Sequence, residues 1–310
     1  YRITGTLSRG QIFVDLGDGA KTDPGAVVTL ILDNVDLTCT VAPAVFFYQV
    51  YECDTDWVAY DAGGAEDYAA SGVADTSAAG ANVILAAGSE NNITGSHVAR
   101  IYKEGTTKKL HKYDGAFYSR MSMNLSGDNG DDTGVLNIVA DNEGLDSELH
   151  LTINGGTICI ESQDDGINTN EDGVSVTTIN GGSLTASGTG NSDGILFYVG
   201  SSQATGATTS LTVSDNAIVR ANGGIKASRV DEPTPSGTGI VFDGTEGTVY
   251  GDVTLQEDLE IGNDETLTVG KDASLTVPDG KTLTNKGTVT NSGTLTNNGT
   301  IDNSGTLTGT

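Results

Sequence analysis

The chain has 310 residues and carries 15 Lys plus Arg against 42 Asp plus Glu, a formal net charge of −27. That balance excludes a general nucleic-acid binder, because phosphate contacts need clustered Lys and Arg, and it disfavours an anionic membrane surface. It suits a protein that collects cations or is kept soluble by its charge.

Acidic chains are often disordered, but the alternating apolar pattern and the 5 prolines argue against that here. Forty-three glycines, few aromatics, many Thr and Asn, and frequent Asn-Gly and Asp-Gly turn pairs predict an all-β protein. No run of ten residues keeps a helical period. No apolar stretch approaches the roughly 20 residues of a membrane span. The chain opens at Tyr1, without Met and already in a strand-like pattern. This reads as a mature or trimmed form of a secreted protein, extracellular or at the cell surface, whose targeting segment is absent.

Residues 1–50 hold strand patterns in ITGTL, QIFVDL and VVTLILDNVDLTCTV, followed by PAVFFYQVY at 43–51. The run from Val27 to Leu32 is apolar nearly throughout and suits a strand covered on both faces. Cys39 is in phase with Leu37 and Val41, which predicts a buried thiol; a Cys39–Cys53 bridge is the alternative. Cys159 alternates with Ile158 and Ile160 and so faces the other way. Residues 52–82 are rich in Ala, Gly and Asp and have no period, the mark of a long inserted loop. That loop carries Trp57, Tyr60 and Tyr68. These aromatics either form a flat platform for sugar rings or pin the loop onto the body. KEGTTKKLHKYDG at 103–115 is the one basic cluster.

From Asp114 to Ile195 a short phrase recurs: DGAFYS, EGLDS, DDGINT and SDGIL, at Asp114, Glu143, Asp165 and Asp193. A companion phrase recurs too, LTINGGTICIES at 151–162 and VTTINGGSLTAS at 176–187. Self-similarity at roughly 20–50 residues marks a stacked architecture. A coil of ~22 residues is what three short strands and their turns need at about 3.3 Å per residue. The glycine pairs Gly155-Gly156 and Gly181-Gly182 fall where the chain turns between faces. The expected fold is therefore all-β, a single-stranded parallel β-helix or solenoid, over residues 1–245.

VDEPTPSGTG at 230–239 reads as a linker or turn. Beyond it the repeat shortens. Leu267, Leu275 and Leu283 are 8 apart, and Leu283, Val289, Leu295, Ile301 and Leu307 are 6 apart. Residues 246–310 are thus expected to form a thinner repetitive β extension, with a hairpin meander as the competitor.

In such a stack the acidic residues line up one strand spacing, about 4.8 Å, apart, where like charges repel. Solvation, protonation or a bound cation must offset this. Calcium takes six to eight oxygens from carboxylates, amides and carbonyls. The candidate ligands are Asp114, Glu143, Asp146, Asp164, Asp165, Asn168 and Asp193. Asn168-x-Asn170-x-Asp172-Gly173 matches the front of an EF-hand loop but has Ile179 at its twelfth position. No HExxH, CxxC or complete P-loop is present.

The phrases EGLDSELHLTINGG, TICIESQDDGIN and INGGSLTASGTGNSDGI, preceded by DGAFYSRMSMNLSG, resemble a family of surface carbohydrate-binding proteins. That family is similar in fold to polysaccharide lyases. The resemblance implies a right-handed parallel β-helix with calcium along it, binding cellulose or an acidic glycan such as polygalacturonate. The family's acidic positions fall on Asp114, Glu143, Asp165 and Asp193, and its following polar position on Asp146 and Asn168. Leu196 stands where an Asp is expected.

The function expected on this basis is non-catalytic, calcium-dependent polysaccharide binding or adhesion by a monomer. The alternative is a polysaccharide lyase, with Arg120, Lys226 or Arg229 as base. The Thr-x-Thr steps at 288–290, 294–296 and 306–308 suggest a third reading, a threonine ladder of the ice-binding kind, interrupted by Asp302.

Overall fold

A computed structural model of the chain describes residues 1–53, 75–98, 104–105, 113–170, 174–190, 192–198, 208–228 and 231–309. Among these residues the protein is all-β, with 29 strands and one short 3-10 turn, Ala20–Thr22.

Ten strands close on themselves. In hydrogen-bonded order they are Val174–Ile179, Leu151–Ile153, Met123–Gly127, Ala81–Leu85, Val28–Thr38, Glu90–Gly95, Val135–Ala140, Thr157–Ser162, Ser183–Gly188 and Thr208–Asn222, which pairs back onto Val174–Ile179. All ten pairings are parallel. Two long strands make the closure. Val28–Thr38 pairs with Ala81–Leu85 through its first half and with Glu90–Gly95 through its second. Thr208–Asn222 likewise joins Val174–Ile179 to Ser183–Gly188. Each long strand turns a corner on residues in the left-handed region, Asn34 at φ 58° in the first, Asp215 at φ 50° and Asn216 at φ 63° in the second. Asn and Asp tolerate that region better than other side chains.

This closure overturns the expected right-handed single-stranded solenoid, whose sheets would run side by side without joining. The architecture is a closed ten-strand parallel β-barrel with further sheets beside it. The repeat in the sequence reports the spacing between stacked strands. It does not report that a strand continues round a corner instead of stopping, because one Asn or an Asp-Asn pair replaces the turn glycines there.

A separate seven-strand sheet stacks Ile12–Asp15, Val45–Gln49, Gly115–Ser119, Glu143–Ser147, Ile167–Asn170, Ile195–Tyr198 and Ile225–Ser228, each parallel to the next. Register places Val45, Phe117, Leu145, Ile167, Ile195 and Ile225 in one buried column. Ile158, Leu184, Val219 and Val241 form another across the barrel wall. Both belong to one continuous core. Cys39 sits in that core as a buried free thiol, so it does not bridge to Cys53.

The recurrent glycine of the acidic phrase has a packing cause. A Cβ on Gly144 would lie 2.5 Å from the carbonyl oxygen of Gly166, and one on Gly166 would lie 2.7 Å from that of Gly194. Successive levels therefore approach closely only where no side chain intervenes.

Among the described strands, one pair runs antiparallel. Ser236–Asp243 pairs antiparallel with Glu246–Tyr250. From there the shorter repeat builds three parallel rows. One continues Glu246–Tyr250 through Thr266–Val269, Thr288–Asn291 and Thr306–Gly309. The others stack Asp252–Thr254, Ser274–Val277 and Thr294–Asn297, and Leu259–Ile261, Thr282–Asn285 and Thr300–Asn303. Parallel pairing rules out the hairpin meander. The rows enclose a second core, which also takes in Ile218, Ile240 and Phe242. Arg220 staples this region: its guanidinium lies 4.0 Å from the Phe242 ring centroid, pairs with Glu265 and donates to the Glu260 carbonyl at 2.6 Å. Thr294–Thr296 and Asp302 stand on different rows from Thr288–Thr290 and Thr306–Thr308, so the single threonine ladder read from the sequence is split.

Gly166→Ala should destabilise the protein by about 1–3 kcal/mol through overpacking. Gly270→Ala, where an added Cβ meets nothing within 4 Å, should stay within about 0.5 kcal/mol of the parent. Chemical denaturation of the two variants checks this, and equal stabilities would contradict the close-approach explanation.

Candidate cation site

Within the seven-strand sheet, register sets Tyr118, Asp146 and Asn168 side by side on successive strands. The neighbouring column, Phe117, Leu145 and Ile167, is fully buried in the core. Strand alternation therefore turns Tyr118, Asp146 and Asn168 to the opposite face. Glu143 joins them there. Asn168 Nδ2 donates to Glu143 Oε1 at 2.9 Å, and the Asp146 carboxyl lies within hydrogen-bonding reach of Glu143.

The cluster is dry and incompletely satisfied. Glu143, Asp146 and Asn168 are 7%, 5% and 7% exposed. Glu143 Oε2, Asp146 Oδ1 and Asn168 Oδ1 are buried with no hydrogen-bond partner. A buried polar oxygen without a partner loses its hydration for nothing, typically about 1–3 kcal/mol and more for a charged group. Three such oxygens in one cluster mark a place where an electropositive partner would be gained.

The electrostatics point the same way. Burial raises the pKa of Glu143, and repulsion from Asp114 and Asp164 adds to it. Burial raises Asp146 well above the usual carboxylate range, followed by repulsion from Glu143. One level on, burial lifts Asp165 to about 7, even though the Asp193 N–H donates to its Oδ1 at 2.8 Å. Burial raises Asp193 too, opposed by the charge of Lys226.

Of the seven ligands expected from sequence, the structure brings together Glu143, Asp146 and Asn168. Asp114 and Asp164 stand close enough to repel Glu143, and the Asp114 carbonyl accepts the Glu143 N–H at 3.3 Å. Asp164 accepts a hydrogen bond from Ser192 Oγ at 3.2 Å. Asp165 leads into the strand that carries Asn168 and feels the charge of Glu143, whereas Asp193 stands one level further on, where its N–H donates to Asp165 Oδ1. Leu196 follows Asn168 in the column and closes it with an apolar side chain.

Sequence reasoning missed Tyr118 and Glu148. Tyr118 is the register neighbour of Asp146 and donates its hydroxyl to Glu148. Arg120 reaches Glu148 at 3.6 Å and lies over the Tyr48 ring at 4.8 Å. The available signal was offset: Tyr118 follows Gly115 as Asp146 follows Glu143. Trp57, Tyr60 and Tyr68 lie outside the described residues.

Among the described residues no group of three or more His, Cys, Asp and Glu side chains is arranged to hold a metal. No helix of the described residues is long and apolar enough to cross a membrane. The chain matches no known protein family, no characterised protein and no solved structure. The resemblance to surface carbohydrate-binding proteins is thus unsupported, and the closed barrel differs from the β-helical fold it implied. Both functions that rested on it, binding of cellulose or acidic glycan and lyase action on uronic-acid polymers, are corrected accordingly. The basic groups a lyase would use are also committed elsewhere: Arg120 to Glu148, and Lys226 to Glu232 at 3.0 Å. Arg229 lies outside the described residues.

A carboxyl whose pKa is raised by folding stabilises the native state at low pH and loses that contribution as pH rises through the folded value. In chelator, stability should therefore fall between about pH 4, the unfolded carboxylate range, and the folded value of Asp165 at about 7. Asp165→Asn, which keeps an oxygen for the Asp193 N–H, should flatten that fall. Urea midpoints across this range measure it; an unchanged slope in the variant would remove Asp165 as its source.

Proposed function

We propose that this protein binds a divalent cation at the Glu143–Asp146–Asn168 cluster, with calcium as the ion that best suits the donors. The observation that carries the reading is the trio of buried, unpartnered oxygens, Glu143 Oε2, Asp146 Oδ1 and Asn168 Oδ1, on adjoining strands. All three are hard oxygen donors, and two come from carboxylates. Calcium accepts such mixed sets and completes its shell from backbone carbonyls and water. The set contains only two acidic side chains, so those further ligands are required.

A cation would favour ionisation of both carboxylates, which burial opposes in its absence. Both carboxylates would then ionise and face positive charge in place of each other. The ion would link adjacent strands of the seven-strand sheet, and the cation-loaded chain would be the stable form at neutral pH. A site with few carboxylates fills where calcium is millimolar, as outside cells.

Two observations argue against assigning a reaction. Glu143 and Asp146 hydrogen-bond to each other, and Tyr118 to Glu148. None of these groups is left as a poised acid or base beside a second reacting side chain.

Calcium added to chelator-treated protein at pH 7 should raise the melting temperature, by the equivalent of about 2.7 kcal/mol when free calcium is 100 times the dissociation constant. The Glu143→Gln/Asp146→Asn double variant should lose the calcium response while staying folded, because paired amides need no counter-charge. Calorimetric titration of both proteins decides the matter: no heat and no melting shift in the parent would overturn the cation reading.

A further inference from the structure

An asparagine followed by glycine carries its own reactive pair. The side-chain carbonyl carbon and the next backbone nitrogen can close a succinimide ring, and glycine puts no Cβ in the way. Five such steps lie among the described residues: Asn129-Gly130, Asn154-Gly155, Asn180-Gly181, Asn222-Gly223 and Asn298-Gly299.

Structure restrains four of them. Gly299 donates its N–H to the Val277 carbonyl at 3.0 Å and to Asn297 Oδ1 at 3.1 Å. Asn180 Nδ2 donates to Asn154 Oδ1 at 2.8 Å, and Asn180 Oδ1 accepts from Ser214 Oγ at 3.1 Å. The glycines that follow these two, Gly155 and Gly181, are buried. Asn222 donates to Ser187 Oγ at 3.0 Å, and a Cβ on Gly223 would lie 2.5 Å from the Ser192 carbonyl oxygen.

Asn129 is placed differently. Asp128 and Asp131 exchange backbone hydrogen bonds, at 3.2 and 3.0 Å, around a two-residue turn. Asn129 and Gly130 form its tip at φ 53° and 80°, the both-positive pattern of the type I′ turn that favours Asn-Gly. Both residues are exposed, and a Cβ on Gly130 would meet nothing within 4 Å. The Gly130 N–H has no acceptor among the described residues. The Asn129 side chain donates only to the adjoining Asp128 Oδ1, at 2.8 Å.

We propose that Asn129 is a site of self-modification that converts to aspartate and isoaspartate without an enzyme. The Gly130 nitrogen gives up its proton to solvent and attacks Asn129 Cγ. A C–N bond forms, the Cγ–Nδ2 bond breaks, and ammonia leaves with a proton taken from water. Water then opens the succinimide. Opening at the side-chain carbonyl gives aspartate, and opening at the backbone carbonyl gives isoaspartate. Either product adds a carboxylate beside Asp128, Asp131 and Asp132. Isoaspartate also lengthens the main chain inside a turn that has only two residues to adjust. The residues just past the turn hold two corners: Asp132 Oδ1 accepts the Gly156 N–H at 3.0 Å, and Thr133 Oγ1 accepts the Gly88 N–H at 2.9 Å. The modification therefore falls on a loop that ties neighbouring levels together.

Incubation of the full chain at physiological pH and temperature, followed by proteolytic mapping with mass spectrometry, compares the five steps side by side. Asn129 should convert fastest, at least about tenfold ahead of Asn298, a barrier difference of about 1.4 kcal/mol. In concentrated guanidinium chloride, where neither turn nor ladder persists, the five rates should draw together. Asn129→Gln, which would have to close a larger ring, should stop conversion at this turn and leave the other four rates unchanged. Conversion of Asn298 or Asn180 ahead of Asn129 in the native chain overturns the proposal. So does a lead for Asn129 that survives undiminished in denaturant, and so does an Asn129 that stays an amide in the native chain after the unfolded chain has converted.

Discussion

The separation of hydrogen-bonded strands, about 4.8 Å, governs this molecule more than any single contact. Parallel strands in register repeat whatever stands at one level at the next. For apolar residues the repetition is favourable: Phe117, Leu145, Ile167 and Ile195 bury one another without a gap. For glycine it permits an approach that any side chain would block, as along Gly144, Gly166 and Gly194. For carboxylates it is costly: burial and mutual repulsion raise the pKa of Asp146, and the residue type changes along the column. Tyr118 precedes Asp146, and Asn168 and Leu196 follow it.

The same spacing explains what could be read before any coordinates. All-β character, short stacked strands, the turn glycines and the thinner repeat after the barrel are periodic properties, and periodicity is visible in a sequence. Gly155 and Gly156, and Gly181 and Gly182, do adopt positive φ at their turns. Closure is not periodic. It depends on two particular strands, Val28–Thr38 and Thr208–Asn222, passing through Asn34 and through Asp215-Asn216 without stopping. Those residues look like ordinary turn formers, and nothing local distinguishes a strand that bends from one that ends.

The candidate site was legible to a similar depth. The repeated phrase led to Glu143, Asp146 and Asn168, which the structure brings together, but it set Asp165 at the centre beside them and added Asp193. Their difference lies in backbone pairing: the Asp193 N–H satisfies an oxygen of Asp165, whereas three oxygens of the first cluster find no donor. Which acid is satisfied and which is not depends on angles between levels, and composition carries no trace of them. Likewise Tyr118 took its place in the column through register rather than through any acidic motif.

The contrast between the closed ring and the open rows also bears on how the chain comes apart. Each barrel strand is held on two sides and the ring has no first strand to peel, so loss of order there must involve many strands together. Beyond the antiparallel pair Ser236–Asp243 and Glu246–Tyr250 the levels contact only their neighbours, the arrangement in which repeats melt as a one-dimensional array. One chain therefore joins an all-or-none body to a segment whose levels can open one at a time. Arg220, bound to Glu265 and stacked on Phe242, marks the seam at which fraying meets the cooperative body.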